Sequence, residues 1–191
     1  LRYFFIANGP EKRDTDFSWH EFVERNNSEL LGAYGNFVNR TLAFIAKYLD
    51  GIVPNGVTDN EIAEQIEALF PTVGQKIEDG QFKDALESIF EFVRFGNRYF
   101  DANEPWKTRN DNPEKCNPTL FNCVQIIANL SVLLNPFLPF SSAKIFEWLN
   151  LNKSWESHWI AEGHTLPEIS ILFERLDKKI IDEECNKLNS L

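Results

Sequence analysis

Methionine is absent from the 191 residues, and cysteine and histidine occur three times each. The cysteines, Cys116, Cys123 and Cys185, include no C-x-x-C pair. An odd count without motif spacing excludes a disulfide framework and points to reduced, cytoplasmic thiols. His20, His158 and His164 are scattered and complete no ligand set with the cysteines, so no metal is expected. Positive charge is also scarce. Lys and Arg total 19 against 29 Asp and Glu, a net charge of −10. That sign argues against broad binding along a phosphate backbone, DNA included, which needs a basic stripe. It leaves room for a small site that reads exposed bases by stacking and hydrogen bonding. No uncharged apolar run reaches about 18 residues, so no membrane span is predicted. No basic stretch leading into an apolar one marks a signal peptide. The chain opens mid-pattern on "LRYFFIANGP" and reads as a piece of a longer polypeptide.

What is present suits one globular domain: 43% of residues are hydrophobic and 25% charged. Helical periodicity dominates. Residues 1 to 7 read as a helix end stopped by "NGP", followed by a charged connector. Ser18 and Glu21 have capping-box spacing, with Phe17 placed to staple across it. One long helix is predicted from there to about Leu49. Thr58 and Glu61 repeat the capping spacing and open a second helix, which Pro71 breaks or restarts and Asp79-Gly80 ends. A third carries Phe82, Leu86, Ile89, Phe90 and Val93 at helical spacing to about Phe100. A fourth spans about Pro113 to Leu134. A short one follows "NPFLPFSS" through Ile145 and Trp148. Residues 151 to 167 read as irregular, and the remainder as extended, then helical. The predicted class is an all-α helix bundle without a sheet.

The long first helix has an unusual outer face. At about 100° per residue, Val23, Leu30, Tyr34, Phe37, Val38, Ile45, Tyr48 and Leu49 share one apolar side. Gly32, Ala33, Asn36, Arg40, Ala43 and Lys47 lie opposite. Asn36 and Arg40 are four apart, so their side chains stand one above the other. Gly32 and Gly35 each weaken a helix interior by roughly 1 kcal/mol relative to alanine. Two readings are open. The small residues let another helix pass close, or they leave a shelf from which a flat ligand reaches Asn36 and Arg40. Trp106 is a second oddity, a tryptophan among polar neighbours in "YFDANEPWKT". Pro105 suits the first position of a short helix and would hold that indole rigidly. Beside Asn36 and Arg40 the indole would make a stacking platform for an unpaired base; otherwise it packs on Tyr99 or Phe100.

Three stretches, "DFSWHEFVERNNSELLGAYGNFVNRTLAFI", "NRYFDANEPWK" and "LLNPFLPFSSAKIFEWL", resemble the C-terminal α-helical anticodon-binding domain of bacterial-type methionyl-tRNA synthetases. The resemblance covers about residues 1 to 150. It implies the helix bundle of the class I aminoacyl-tRNA synthetase anticodon-binding type over 17–150. Residues 1–16 would be the end of a connector from a catalytic domain, and 151–191 a tail packing back on the bundle or that domain. It further implies that Asn36, Arg40, Trp106 and Pro105 read the CAU anticodon loop of tRNA(Met). Arg40 and Asn36 would donate to O2 and N3 of the splayed-out cytosine, with Trp106 stacked on a base. Arg98, Lys107 and Arg109 are candidates for phosphate contacts. The ATP-binding motifs of the family's catalytic domain are not in this chain. It is therefore expected to be inert alone and to hold no cofactor, ATP and Mg belonging to the parent enzyme. The competing reading is a helical protein-interaction scaffold with no RNA role.

Overall fold

A helix that meets neighbours on every side carries the core. The computed structural model describes residues 1–9, 16–179, 181–182 and 184. Its elements are α1 (Arg2–Ala7), α2 (Trp19–Arg25), a π-helical stretch (Asn26–Gly35), α3 (Asn36–Tyr48) and α4 (Asn60–Glu78). They continue as α5 (Phe82–Asn103), α6 (Pro105–Asp111), α7 (Pro113–Leu134) and α8 (Pro139–Leu149). α7 is buried along almost its whole length from Cys116, polar residues included. It packs against α3, α4, α5, α6 and α8. By length and apolarity it is the one helix among the described residues that could cross a membrane, and 89% of its most apolar window is buried inside the bundle. The expected all-α bundle is what forms. The nearest thing to a sheet among the described residues is a single bridge between Ile52 and Thr165.

The polar residues of α7 have a use that periodicity does not reveal. Asn122 accepts from the Asp59 backbone N–H at 3.0 Å and donates to the Val57 carbonyl at 3.3 Å. Gln125 pairs both ways with the backbone of Ile160, at 3.0 and 2.8 Å. Asn129 does the same with His158, at 2.8 Å each way. These amides complete backbone groups that would otherwise be buried without partners. Gln125 and Asn129 strap the irregular segment 151–167 to the bundle, and Asn122 holds the segment leading into α4.

The N-terminal helix departs from the expected single α-helix in its winding. Ser18 caps α2, its hydroxyl accepting from the Glu21 N–H at 3.3 Å, and the Phe17 and Phe22 rings meet at 6.3 Å as the staple requires. Residues 26–35 then wind wider. Cβ atoms added at Gly32 and Gly35 would stand 3.0 Å from the carbonyls of Asn27 and Leu30, each five residues back. The two glycines thus fit the wider turn, where any side chain would crowd a carbonyl. Gly35 is covered by the chain's own tail. Its added Cβ would also stand 3.0 Å from the Phe173 ring, and Asn27 pairs with the Leu176 backbone at 2.9 Å each way.

Two further expectations change. Thr58 and Glu61 form no capping box, because Asp59 precedes α4 with no side-chain cap. Pro71 does not break α4. It sits on the exposed face, as does Glu67, whose carbonyl loses its partner to the proline and can turn to water. The helix predicted for the end of the chain falls largely outside the described residues, as does Cys185.

Candidate nucleic-acid interface

The chain changes direction between α5 and α6 at one residue. Glu104 takes a left-handed conformation, φ 45° and ψ 57°, and its N–H closes α5 on the Phe100 carbonyl at 3.2 Å. Its own carbonyl receives the N–H groups of Lys107 and Thr108 at 2.8 and 3.0 Å. Pro105 fills the first position of α6, where a missing N–H costs nothing. It is buried, and the Cys116 thiol of α7 donates to its carbonyl at 3.7 Å. Burial pushes the Cys116 pKa up, so it stays a thiol and a donor. The base of α6 is therefore fixed from two sides.

Trp106 projects from that fixed turn. It is 43% exposed, with its ring 5.9 Å from Phe100 and tilted by 33°. Arg40 arrives from α3. Its guanidinium carbon lies 4.5 Å from the Phe100 ring centroid and 5.7 Å from that of Trp106. Asp101 of α5 holds one terminal nitrogen at 2.6 Å. On a half-exposed surface this pair adds at most about 1 kcal/mol. Its effect is orientation: it ties down one edge of the fork and leaves the remaining N–H groups without a hydrogen-bond partner among the described residues. Asn36 stands one turn before Arg40 on the same face, half-buried, with no side-chain partner among the described residues.

Arg40 and Trp106, 66 positions apart in the chain, thus meet at the surface. The three cationic candidates are placed differently from one another. Lys107 is neutralised by Glu104 at 2.7 Å. Arg98 is exposed and lines a groove between α4 and α5 with Gln65, Leu69 and Phe95. Arg109 lies 3.8 Å over the ring of Tyr48. Tyr48 is a correction. Helical phase puts it inward, yet it is 40% exposed, because it is the last residue of α3 and the core does not follow past the helix end. Phe100, Asp101 and Cys116 also belong to this arrangement through contacts made across helices, which no local pattern encodes.

An exposed indole beside an oriented guanidinium, carried on an all-α bundle, is the arrangement the chain presents at this surface, and the fold sets the class: an all-α helical domain. Residues 59–187 match the model of the anticodon-binding domain of tRNA ligases, so the chain belongs to that family. Residues 1–42 match the model of class I tRNA synthetases (M). The chain is 55% identical over 193 aligned positions to a methionine–tRNA ligase of Bacillus cereus (strain Q1), covering 98% of this chain and 35% of that protein. It is 52% identical to methionine–tRNA ligase 1 of Alkaliphilus oremlandii, again spanning 35% of its length. The methionyl-tRNA synthetase of Mycobacterium tuberculosis, in its apo crystal structure, superposes with a TM-score of 0.84 at 26% identity. That match covers 92% of this chain and 38% of the other.

Proposed function

We propose that this chain is the anticodon-reading module of a cytoplasmic methionine–tRNA ligase and selects tRNA(Met) by its CAU anticodon. The observation that carries the reading is the meeting of Arg40 and Trp106 on an exposed surface, with Asp101 fixing the guanidinium. Trp106 offers a base its open face. Arg40 and Asn36 offer donors to O2 and N3 of a cytosine. A uracil carries N–H at position 3, and a donor facing a donor costs about 1–3 kcal/mol. Attachment of methionine, with its ATP and Mg, falls to the catalytic domain of the parent enzyme. In this reading residues 1–16 lead from that domain, 17–150 form the reading bundle and 151–191 pack back. The scaffold reading loses its main support, since Phe173 already occupies the glycine at position 35.

Binding of anticodon stem-loops carrying CAU or UAU tests this directly. The wild-type chain is expected to prefer CAU, and Arg40→Gln to erase the preference with little change in thermal stability. Equal affinity of the wild type for both loops returns the domain to the scaffold reading.

A further inference from the structure

The end of α3 holds two cations that nothing in the described structure neutralises. Arg25, Arg40, Arg94 and Lys107 each lie within ion-pair distance of a carboxylate. Lys47 and Arg109 do not, although the chain carries ten net negative charges and Asp50 and Asp111 are close in sequence. Both flank Tyr48. The Arg109 guanidinium carbon is 3.8 Å and the Lys47 ammonium 5.0 Å from its ring centroid. Lys47, then Arg109, pull the exposed phenol's pKa below its usual value, which reports two cations beside one hydroxyl. Arg109 donates Nε–H to the Asn110 side chain at 3.2 Å and turns its guanidinium toward the Tyr48 hydroxyl, with no carboxylate within ion-pair distance among the described residues.

This cluster is continuous with the base-reading surface. On α3, Asn36, Arg40 and Lys47 fall within about 40° of one another at 100° per residue, so Lys47 extends the same stripe by two turns. On α6, Trp106 and Arg109 are three apart and share a face. The two helices thus lie with Arg40 beside Trp106 at one end and Lys47 and Tyr48 beside Arg109 at the other. Resting on the anticodon-reading proposal, we propose that Lys47, Arg109 and the Tyr48 hydroxyl form a phosphodiester subsite that holds the RNA backbone next to the nucleotide stacked on Trp106. A nucleotide strand offers one anionic group per residue, set at a distance from its base. Two cations and a hydroxyl donor at one remove from a stacking platform match that order. Lys107 is excluded from this subsite by its pairing with Glu104, and Arg98 by its position in the α4–α5 groove.

The test uses the purified chain, a CAU anticodon stem-loop, and the same RNA with single loop phosphates replaced by uncharged methylphosphonates. Combining Lys47→Gln with Arg109→Gln is expected to weaken binding roughly five- to tenfold. It should also reduce the slope of log affinity against log salt by about 0.7, the value for one phosphate of a single strand. The preference for CAU over UAU should stay. One methylphosphonate position should weaken the wild type by a similar factor and leave the double variant indifferent, a comparison that holds even if the variant is somewhat less stable. If no position matters to the wild type, or the slope is unchanged while CAU is still preferred, the subsite is wrong and the base-reading proposal stands. A wild type with no anticodon preference overturns both.

Discussion

Trp106 tests what a tryptophan is doing at a protein surface. Its ring touches Phe100 and lies near Arg40, yet 43% of the residue remains open to solvent. A side chain so exposed adds little to the core. Trp106→Ala is therefore expected to lower affinity for the CAU stem-loop by about 1–3 kcal/mol, the range for one stacked base. The melting temperature should move by only a degree or two, read by circular dichroism. A large drop in melting temperature with unchanged RNA affinity would make the indole a packing residue. At this scale the sequence was legible where the chemistry is local. Pro105 pre-sets the turn that presents Trp106, and four-residue spacing aligns Asn36 with Arg40. It was not legible where a partner comes from another helix. Asp101 holding Arg40, Cys116 holding Pro105 and Arg109 on Tyr48 all depend on the packing of α3, α5, α6 and α7.

Helix existence followed from apolar spacing at the level of elements, and helix detail did not. α5 and α7 lie close to where periodicity puts them, because long stripes of buried side chains leave little choice. The π-helical winding of 26–35 leaves no mark in the apolar spacing. In sequence its two glycines read either as room for another helix to pass or as a ligand shelf, whereas the structure uses them to relieve crowding against carbonyls five residues back. The role of the α7 amides is hidden in the sequence for a different reason. Asn and Gln on a buried helix look like defects until the loops they satisfy are in place. Asn129 illustrates what they contribute. It completes both backbone groups of His158 inside the fold. Asn129→Ala leaves that N–H and carbonyl without a partner, and about 1–3 kcal/mol should be lost in urea denaturation. The same change should speed hydrogen exchange at His158 more than at the amides of α5. Uniform acceleration across the chain would mean that the amide supports global stability and does not specifically strap the loop.

For the molecule as a whole, the neutral acids buried in the bundle give it a direction of pH sensitivity. Cys123 and Tyr34 are buried, Tyr34 with its hydroxyl unpartnered, and burial raises the pKa of each. Cys116 is raised by burial, and Tyr99 by burial and by the Asp59 carboxylate that its hydroxyl meets at 2.8 Å. In the unfolded chain cysteine ionises near 8.5 and tyrosine near 10. Each folded value lies above its unfolded one. The unfolded state therefore loses these protons first, and their contribution is intact below about pH 8.5 and falls as pH rises. Once Cys123 is ionised in the unfolded chain, stability should drop by about 1.4 kcal/mol per pH unit, with Cys116 adding to the fall, and more steeply beyond pH 10. Urea midpoints at pH 7, 8.5 and 10 read this out. Net charge works in the same direction, because a chain already at −10 repels itself more as it loses protons. Repeating the series at about 1 M salt separates the two, since screening there acts within about 3 Å. A drop that survives high salt belongs to the buried thiols and phenols, and Cys123→Ala should remove part of it. A urea midpoint that stays flat from pH 7 to 10 would show that these groups are not held neutral by the fold.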